Sequence, residues 1–161
     1  MKNRQDGFSL IELLMVVAII LIIAAIAIPN FLRAKISANE SSAVSSVHAV
    51  DTAEIGYSAT YIDIGYSASL AALGPGTAGT NSCAATSAAA CFIDPTLASG
   101  TKSGYVFTYV QNASVTPAIQ FTINADAQVQ DVTGQRGFYS DESNVIRYNS
   151  TGPATVNSAP L

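Results

Sequence analysis

Only 11% of the 161 residues are charged, and tryptophan is absent. The formal balance is −4 and the sequence pI lies near 4.6. A general nucleic-acid binder needs a basic stripe to displace counterions from phosphates, so that class is excluded. Histidine occurs once, at His48, with Asp51 one turn later and Ser41, Ser42, Ser45 and Ser46 nearby. These residues share one helical stretch, whereas a Ser-His-Asp triad gathers its groups from separate segments. His48 is therefore read as a solvated or groove-lining side chain. Cysteine occurs twice, at Cys83 and Cys91, with a spacing that matches no zinc pattern. Asp126, Asp131, Asp141 and Glu142 lie in a turn-rich part of the chain but lack EF-hand spacing, so they are expected to solvate loops rather than to hold calcium. No glycine loop precedes a helix to cradle phosphate. The expectation is a protein that is not an enzyme and has no cofactor and no metal site.

What the chain does contain is an apolar run, Leu13 to Ile28, broken by no polar residue. A helix from Phe8 to Ile28 would rise about 32 Å, enough to cross a hydrocarbon core of about 30 Å. Lys2 and Arg4 outweigh Asp6 on its N-terminal side, which keeps that end in the cytoplasm and sends the rest outward. A cleaved secretory signal is the bland alternative, and Ala25-Ile26-Ala27 offers a small-x-small site for it. Against that reading stand Glu12 inside the apolar segment and the helical character of the residues after Pro29. A plain uncleaved anchor explains the span but gives Glu12 no role, although a central charge in a membrane helix costs about 2.5 to 3.5 kcal/mol.

Residues Gly7 to Glu12 read Gly-Phe-Ser-Leu-Ile-Glu, directly before this run. The junction resembles the type IV prepilin processing site: a short polar leader ending in glycine, then phenylalanine, then a glutamate four residues on inside a hydrophobic helix. Gly7, Phe8 and Glu12 match each position. The resemblance implies cleavage between Gly7 and Phe8 by a membrane prepilin peptidase, N-methylation of Phe8, and pairing of Glu12 with the terminal amine of a neighbouring subunit during assembly. Loss of residues 1–7 removes Lys2, Arg4 and Asp6 and leaves a more acidic product.

Between Asn30 and Tyr61 there is no proline and one glycine, Gly56. Ile36, Glu40, Ala43, Val47, Val50, Glu54, Tyr57 and Tyr61 recur at three- and four-residue spacing, with Lys35, Asn39, Ser42, Ser46 and Thr52 on the opposite face. The spacing predicts an amphipathic helical half, joined to the apolar half at Pro29, where a missing donor and a clash predict a kink or local unwinding.

From Ile62 to Gly104 the chain is rich in Ala, Ser, Thr and Gly and reads as a connecting region with at most short elements, such as a helical turn near Ser67 to Leu73; Gly74-Pro75-Gly76 is a strong breaker. Because Cys83 and Cys91 belong to an exported part, a disulfide is the default reading, contributing about 2.6 kcal/mol in the chain-entropy model. Strand-like alternation appears at Tyr105 to Val110, Ala118 to Asn124, Gly137 to Ser140 and Val145 to Tyr148, with Ile119, Phe121 and Ile123 on one face. The tail after Tyr148 reads as coil.

The expected organisation is a leader at 1–7, a membrane or filament-core helix at 8–28, an amphipathic half at 29–61 and a head at 62–161. The head divides into a loop region at 62–104, a sheet at 105–148 and a tail at 149–161. This α+β order, a long N-terminal helix packed on three or four antiparallel strands, is similar to the pilin fold. The implied function is a structural subunit that starts in the inner membrane, with its head outside the cytoplasm, and ends in a surface filament. Its implied partners are other copies of itself, the peptidase and methyltransferase, the inner-membrane assembly machinery, and lipid before assembly. Major pseudopilins of type II secretion are closely similar. They often carry Asp-Pro-Trp-Gly, whereas Asp94-Pro95 continues here as Thr96-Leu97. A membrane-anchored binding module is the third reading.

Overall fold

The computed structural model describes residues 8–76 and 85–161. It forms two compact units, one ending at Lys35 and the other Ile36–Leu161. Helix α1, Leu10–Thr60, supplies the first unit and begins the second. Leu, Ile, Ala and Val dominate its first part, and the helix passes through Pro29 without a break. Asn30 Nδ2 donates to the Ile26 carbonyl at 3.0 Å, next to the Ala25 carbonyl that Pro29 leaves without its helical donor. Five residues after the helix ends at Thr60, Gly65, at φ +81°, turns the chain: a Cβ there would stand 2.1 Å from the Ala118 carbonyl oxygen, so only glycine fits.

Two one-turn helices follow, α2 (Leu70–Leu73) and α3 (Pro95–Ala98), capped by the side chains of Ser69 and Asp94. Among the described residues the connecting region thus carries only short elements, as expected, the second of them at α3, where Asp94 accepts from Leu97 N at 2.9 Å and Pro95 opens the turn.

A single antiparallel sheet completes the second unit, with strands in chain order: β1 (Thr101–Lys102), β2 (Tyr105–Gln111), β3 (Phe121–Ala127), β4 (Gly137–Asp141), β5 (Arg147–Asn149) and β6 (Ala159–Pro160). Among the described residues six strands stand where three or four were expected, because β1 and β6 are two residues each and too short to leave an alternating pattern. The strand expected at Ala118 to Asn124 begins at Phe121 instead. Ala118 is diverted to the turn after α1, where its carbonyl accepts from Tyr66 N and its N–H donates to the Ile64 carbonyl. Ile119 accordingly lies outside the strand and is exposed, while Phe121, Ile123 and Ala125 share the buried face.

That face packs against α1. Ala43, Val47, Val50, Ala53 and Tyr57 of the helix join Phe107, Phe121, Ile123, Ala125 and Phe138 of the sheet in one core. Each fully buried aromatic contributes about 1.5 to 3 kcal/mol of transfer free energy, so the core is anchored by Tyr57, Tyr105, Phe121 and Phe138. The buried stripe of α1 is wider than the spacing indicated. Ser46, expected on the solvated side, is buried, and Asn39 donates to the Thr133 carbonyl at 2.8 Å.

The tail expected to be coil is ordered by the sheet. After β5 it crosses the outer face, burying Ala154, then returns as β6 beside β5. Asn124 Nδ2 donates to the Ala154 carbonyl at 2.8 Å, and Leu161 N donates to the Ile146 carbonyl at 2.9 Å.

Candidate functional site

The first turn of α1 gathers the chemistry at the N-terminus. Ser9 stands immediately before the helix and Glu12 three residues on, and the Ser9 N–H donates to Glu12 Oε2 at 2.9 Å. The Ser9 carbonyl accepts from Leu13 N at 3.3 Å, the first bond of the helix. This is the glutamate half of a capping box: a carboxylate turned back onto an orphan N–H at the positive end of the helix dipole. The Ser-x-x-Glu spacing of Ser9 to Glu12 was available in the sequence as the signal for it. Glu12 therefore has a local structural role besides the one that its position in the motif implies. Its carboxylate is held one residue from Phe8, so the two residues singled out in the sequence lie in the same turn. Gly7, the residue before them, falls outside the described residues.

From Leu13 to Ile28 the side chains of α1 are apolar on every side and nearly all exposed; Leu13, Leu14, Met15, Val16 and Val17 follow in succession. A helix that is hydrophobic all round is covered in use, by lipid or by protein. The segment is long and apolar enough to cross a membrane.

The second part of α1 carries three buried acids, each treated differently. Glu40, only 7% exposed, accepts from Gln135 N at 2.9 Å and Arg136 N at 3.1 Å with Oε1, and from Arg136 Nε at 2.8 Å with Oε2. Burial disfavours its charge, but these donors and the guanidinium outweigh burial and hold its pKa below the ordinary value. Glu54, fully buried, accepts from both the N–H and the hydroxyl of Ser67; here burial wins and the pKa is raised. Asp51 accepts from Ser140 Oγ at 2.7 Å with Oδ2, while its buried Oδ1 accepts nothing. Burial pushes Asp51 up to about 6, helped by the charges of Asp141 and Glu54 and opposed by Ser140 and His48.

The remaining candidates are not brought together. His48 is exposed and faces Thr52 Oγ1 at 3.5 Å, while Asp51 turns to Ser140, so the helix-borne Ser, His and Asp form no relay. Asp126 lies within β3, Asp131 accepts from Gln135 Nε2 at 3.2 Å, and Asp141 accepts from Ser143 N at 2.9 Å. Among the described residues no three His, Cys, Asp or Glu side chains converge on a common ion position. Cys91 is half-buried at φ 64°; Cys83 lies outside the described residues.

Comparisons with known proteins agree with the N-terminal geometry. The prokaryotic N-terminal methylation motif matches residues 2–28. The type IV major fimbrial protein of Dichelobacter nodosus is 39% identical over 120 residues, covering 71% of this chain and 77% of that protein. The type IV major pilin protein of Myxococcus xanthus is 51% identical over 51 residues, covering 32% of this chain but only 23% of that protein's length. The type II secretion system core protein G of Aeromonas hydrophila is 38% identical over 52 residues, covering 32% of this chain and 36% of that protein. No solved structure matches significantly.

Proposed function

The chain belongs to the type IV pilin family, and on that premise we propose that it is the structural subunit of a type IV surface filament. The observation that carries this reading is the first part of α1, apolar on every side and opened by Ser9 and Glu12. Such a helix needs a cover at two stages. Before assembly the cover is the inner membrane, with the second unit outside the cytoplasm. Afterwards it is the same helix of other copies. A prepilin peptidase removes residues 1–7 and the Phe8 amine becomes methylated. The mature chain polymerises through α1, and the acidic second unit, with its sheet and tail, faces outward.

A pseudopilin of type II secretion is the second reading, favoured by the similarity to the Aeromonas protein over the N-terminal third. The head argues for the surface filament, because Asp94 caps α3 and pairs with Lys102 at 2.8 Å in the segment where an Asp-Pro-Trp-Gly motif would stand. Electron microscopy of filaments sheared from cells, with mass spectrometry of their subunit, tests the proposal. Long filaments built of a chain that starts at a methylated Phe8 are expected. Filaments that lack this chain, or a mature protein that starts at Met1 or Ile28, would overturn it.

A further inference from the structure

On the side of the sheet away from α1, residues 150–158 lie against β3, β4 and β5, while the outward positions of β2, such as Val106 and Val110, stay exposed. Three side-chain donors hold this cover: Asn124 Nδ2 on the Ala154 carbonyl at 2.8 Å, Asn149 Nδ2 on the Pro153 carbonyl at 2.9 Å, and Arg147 Nη1 on the Ser158 carbonyl at 3.2 Å. At one further point the arrangement is short of a donor. Asp126 follows Ala125 and Gly137 precedes Phe138, the last pair between β3 and β4, and Gly137 also pairs with Asn149. A Cβ on Gly137 would stand 2.3 Å from the Gly152 carbonyl oxygen and 2.9 Å from Asp126 Oδ1, so both oxygens occupy the notch that this glycine leaves. Asp126 Oδ1 is buried there and accepts no hydrogen bond.

Two acceptor oxygens that border one notch, one of them buried, repel each other unless a proton stands between them. The surroundings favour the proton. Val106 of β2 pairs with Asp126, Gly137 and Asn149 flank it across β4 and β5, and Gly152 covers it from the tail. The titratable group that feels its charge is the Tyr105 phenol, and the guanidinium of Arg136, next to Gly137, is turned to Glu40. Burial raises the Asp126 pKa with no opposing cation.

We propose that residues 150–158 form a strap latched by a proton that Asp126 donates to the Gly152 carbonyl, so that ionisation of Asp126 loosens the strap and uncovers Asn124 and Tyr139. An acid whose folded pKa is raised adds stability that is complete below its unfolded value, about 3.9, and is lost as pH rises through the folded value. The strap is therefore tight in acid and loose above that window, independently of how the filament assembles.

Hydrogen exchange of the 154–158 amides in the full chain, held in detergent micelles between pH 4 and 8 and corrected for intrinsic rates, reads the latch. Protection is expected to fall about tenfold for each unit by which the Asp126 pKa is raised. Asp126→Asn supplies an N–H to the Gly152 carbonyl at every pH and should remove this dependence. Gly137→Ala drives a methyl between the two oxygens and should leave the strap loose throughout. Asp51→Asn, which removes the other raised aspartate, should leave the strap's pH response intact. Equal protection at pH 4 and 8 in the unmodified chain overturns the latch, as does an unchanged pH response in Asp126→Asn. Calcium that restores protection at pH 8 would make the notch a cation site and overturn the proton reading.

Discussion

Asp51 of α1 reaches Ser140 near the end of β4 at 2.7 Å, joining helix and sheet across 89 residues of chain through one oxygen of a carboxylate whose other oxygen is buried without a partner. A carboxylate so placed holds the helix to the sheet but resists ionisation, since burial penalises its charge more than one hydroxyl repays.

Asp51 and Glu40 pull the pH dependence of the second unit in opposite directions, with Glu54 and Asp126 acting in the same sense as Asp51. Asp51 is raised to about 6 against an unfolded value of about 3.9, so its contribution is complete below about pH 4 and is lost as pH rises to about 6. Glu40 is depressed, so its contribution is present above its unfolded value and lost as pH falls through the folded one. Thermal melts should show greatest stability in mild acid. Asp51→Asn, which keeps an acceptor for Ser140, should raise neutral-pH stability by about 1 to 3 kcal/mol and flatten the fall between pH 4 and 6. Melts of that variant that still fall over this interval as in the unmodified chain would show that Asp51 is not the group responsible.

Glu40→Ala should do the opposite at neutral pH. Its carboxylate satisfies two backbone N–H groups and a guanidinium at the end of the loop between β3 and β4. Removing it strands those donors, at a cost of about 2 to 4 kcal/mol. Exchange of the Gln135 and Arg136 amides should accelerate before global unfolding. Glu40→Gln, which keeps one acceptor oxygen but loses the charge, should fall between the two.

These acids also mark where the sequence was legible. Glu40 and Glu54 could be placed on the packed face of α1 by spacing alone, because helical periodicity is local. Their partners could not be read, since Gln135 lies 95 residues from Glu40 and Ser67 lies 13 from Glu54. The alternation of β2 and β4 announced those strands, whereas β3 began three residues late because Ala118 was claimed by the turn at Gly65. The pairing of Ala159–Pro160 with β5 exists only in the folded sheet and leaves no local trace. At the N-terminus the Gly7 to Glu12 motif is plain in the sequence, and its Ser-x-x-Glu spacing is the helix-start signal that the bond from Ser9 to Glu12 answers to.

A disulfide between Cys83 and Cys91 is proposed from their place in an exported part of the chain, and its test is independent of filament formation. Protein recovered from the cell exterior should contain no free thiol, and Cys83→Ser should lower the stability of the second unit by about 2 to 3 kcal/mol without blocking leader removal. Two free thiols in unreduced protein would exclude the bond.

Glu12 admits a sharper experiment than simple removal, because capping and charge are separable there. The Ser9 N–H needs only an acceptor oxygen, which glutamine also has, so Glu12→Gln keeps the cap while Glu12→Ala loses it, at a cost of about 0.5 to 2 kcal/mol of local helix stability. The proposed register role needs the charge, since it pairs with the Phe8 amine of a neighbouring copy once residues 1–7 are removed. An unpaired charge buried in an assembled filament costs about 3 to 5 kcal/mol, several times the worth of the cap. Both variants should therefore insert in the membrane and lose their leader, and both should fail to build filaments. If Glu12→Gln assembled normally while Glu12→Ala did not, the acceptor and not the charge would be what assembly requires, and Glu12 would act only as the cap of its own helix.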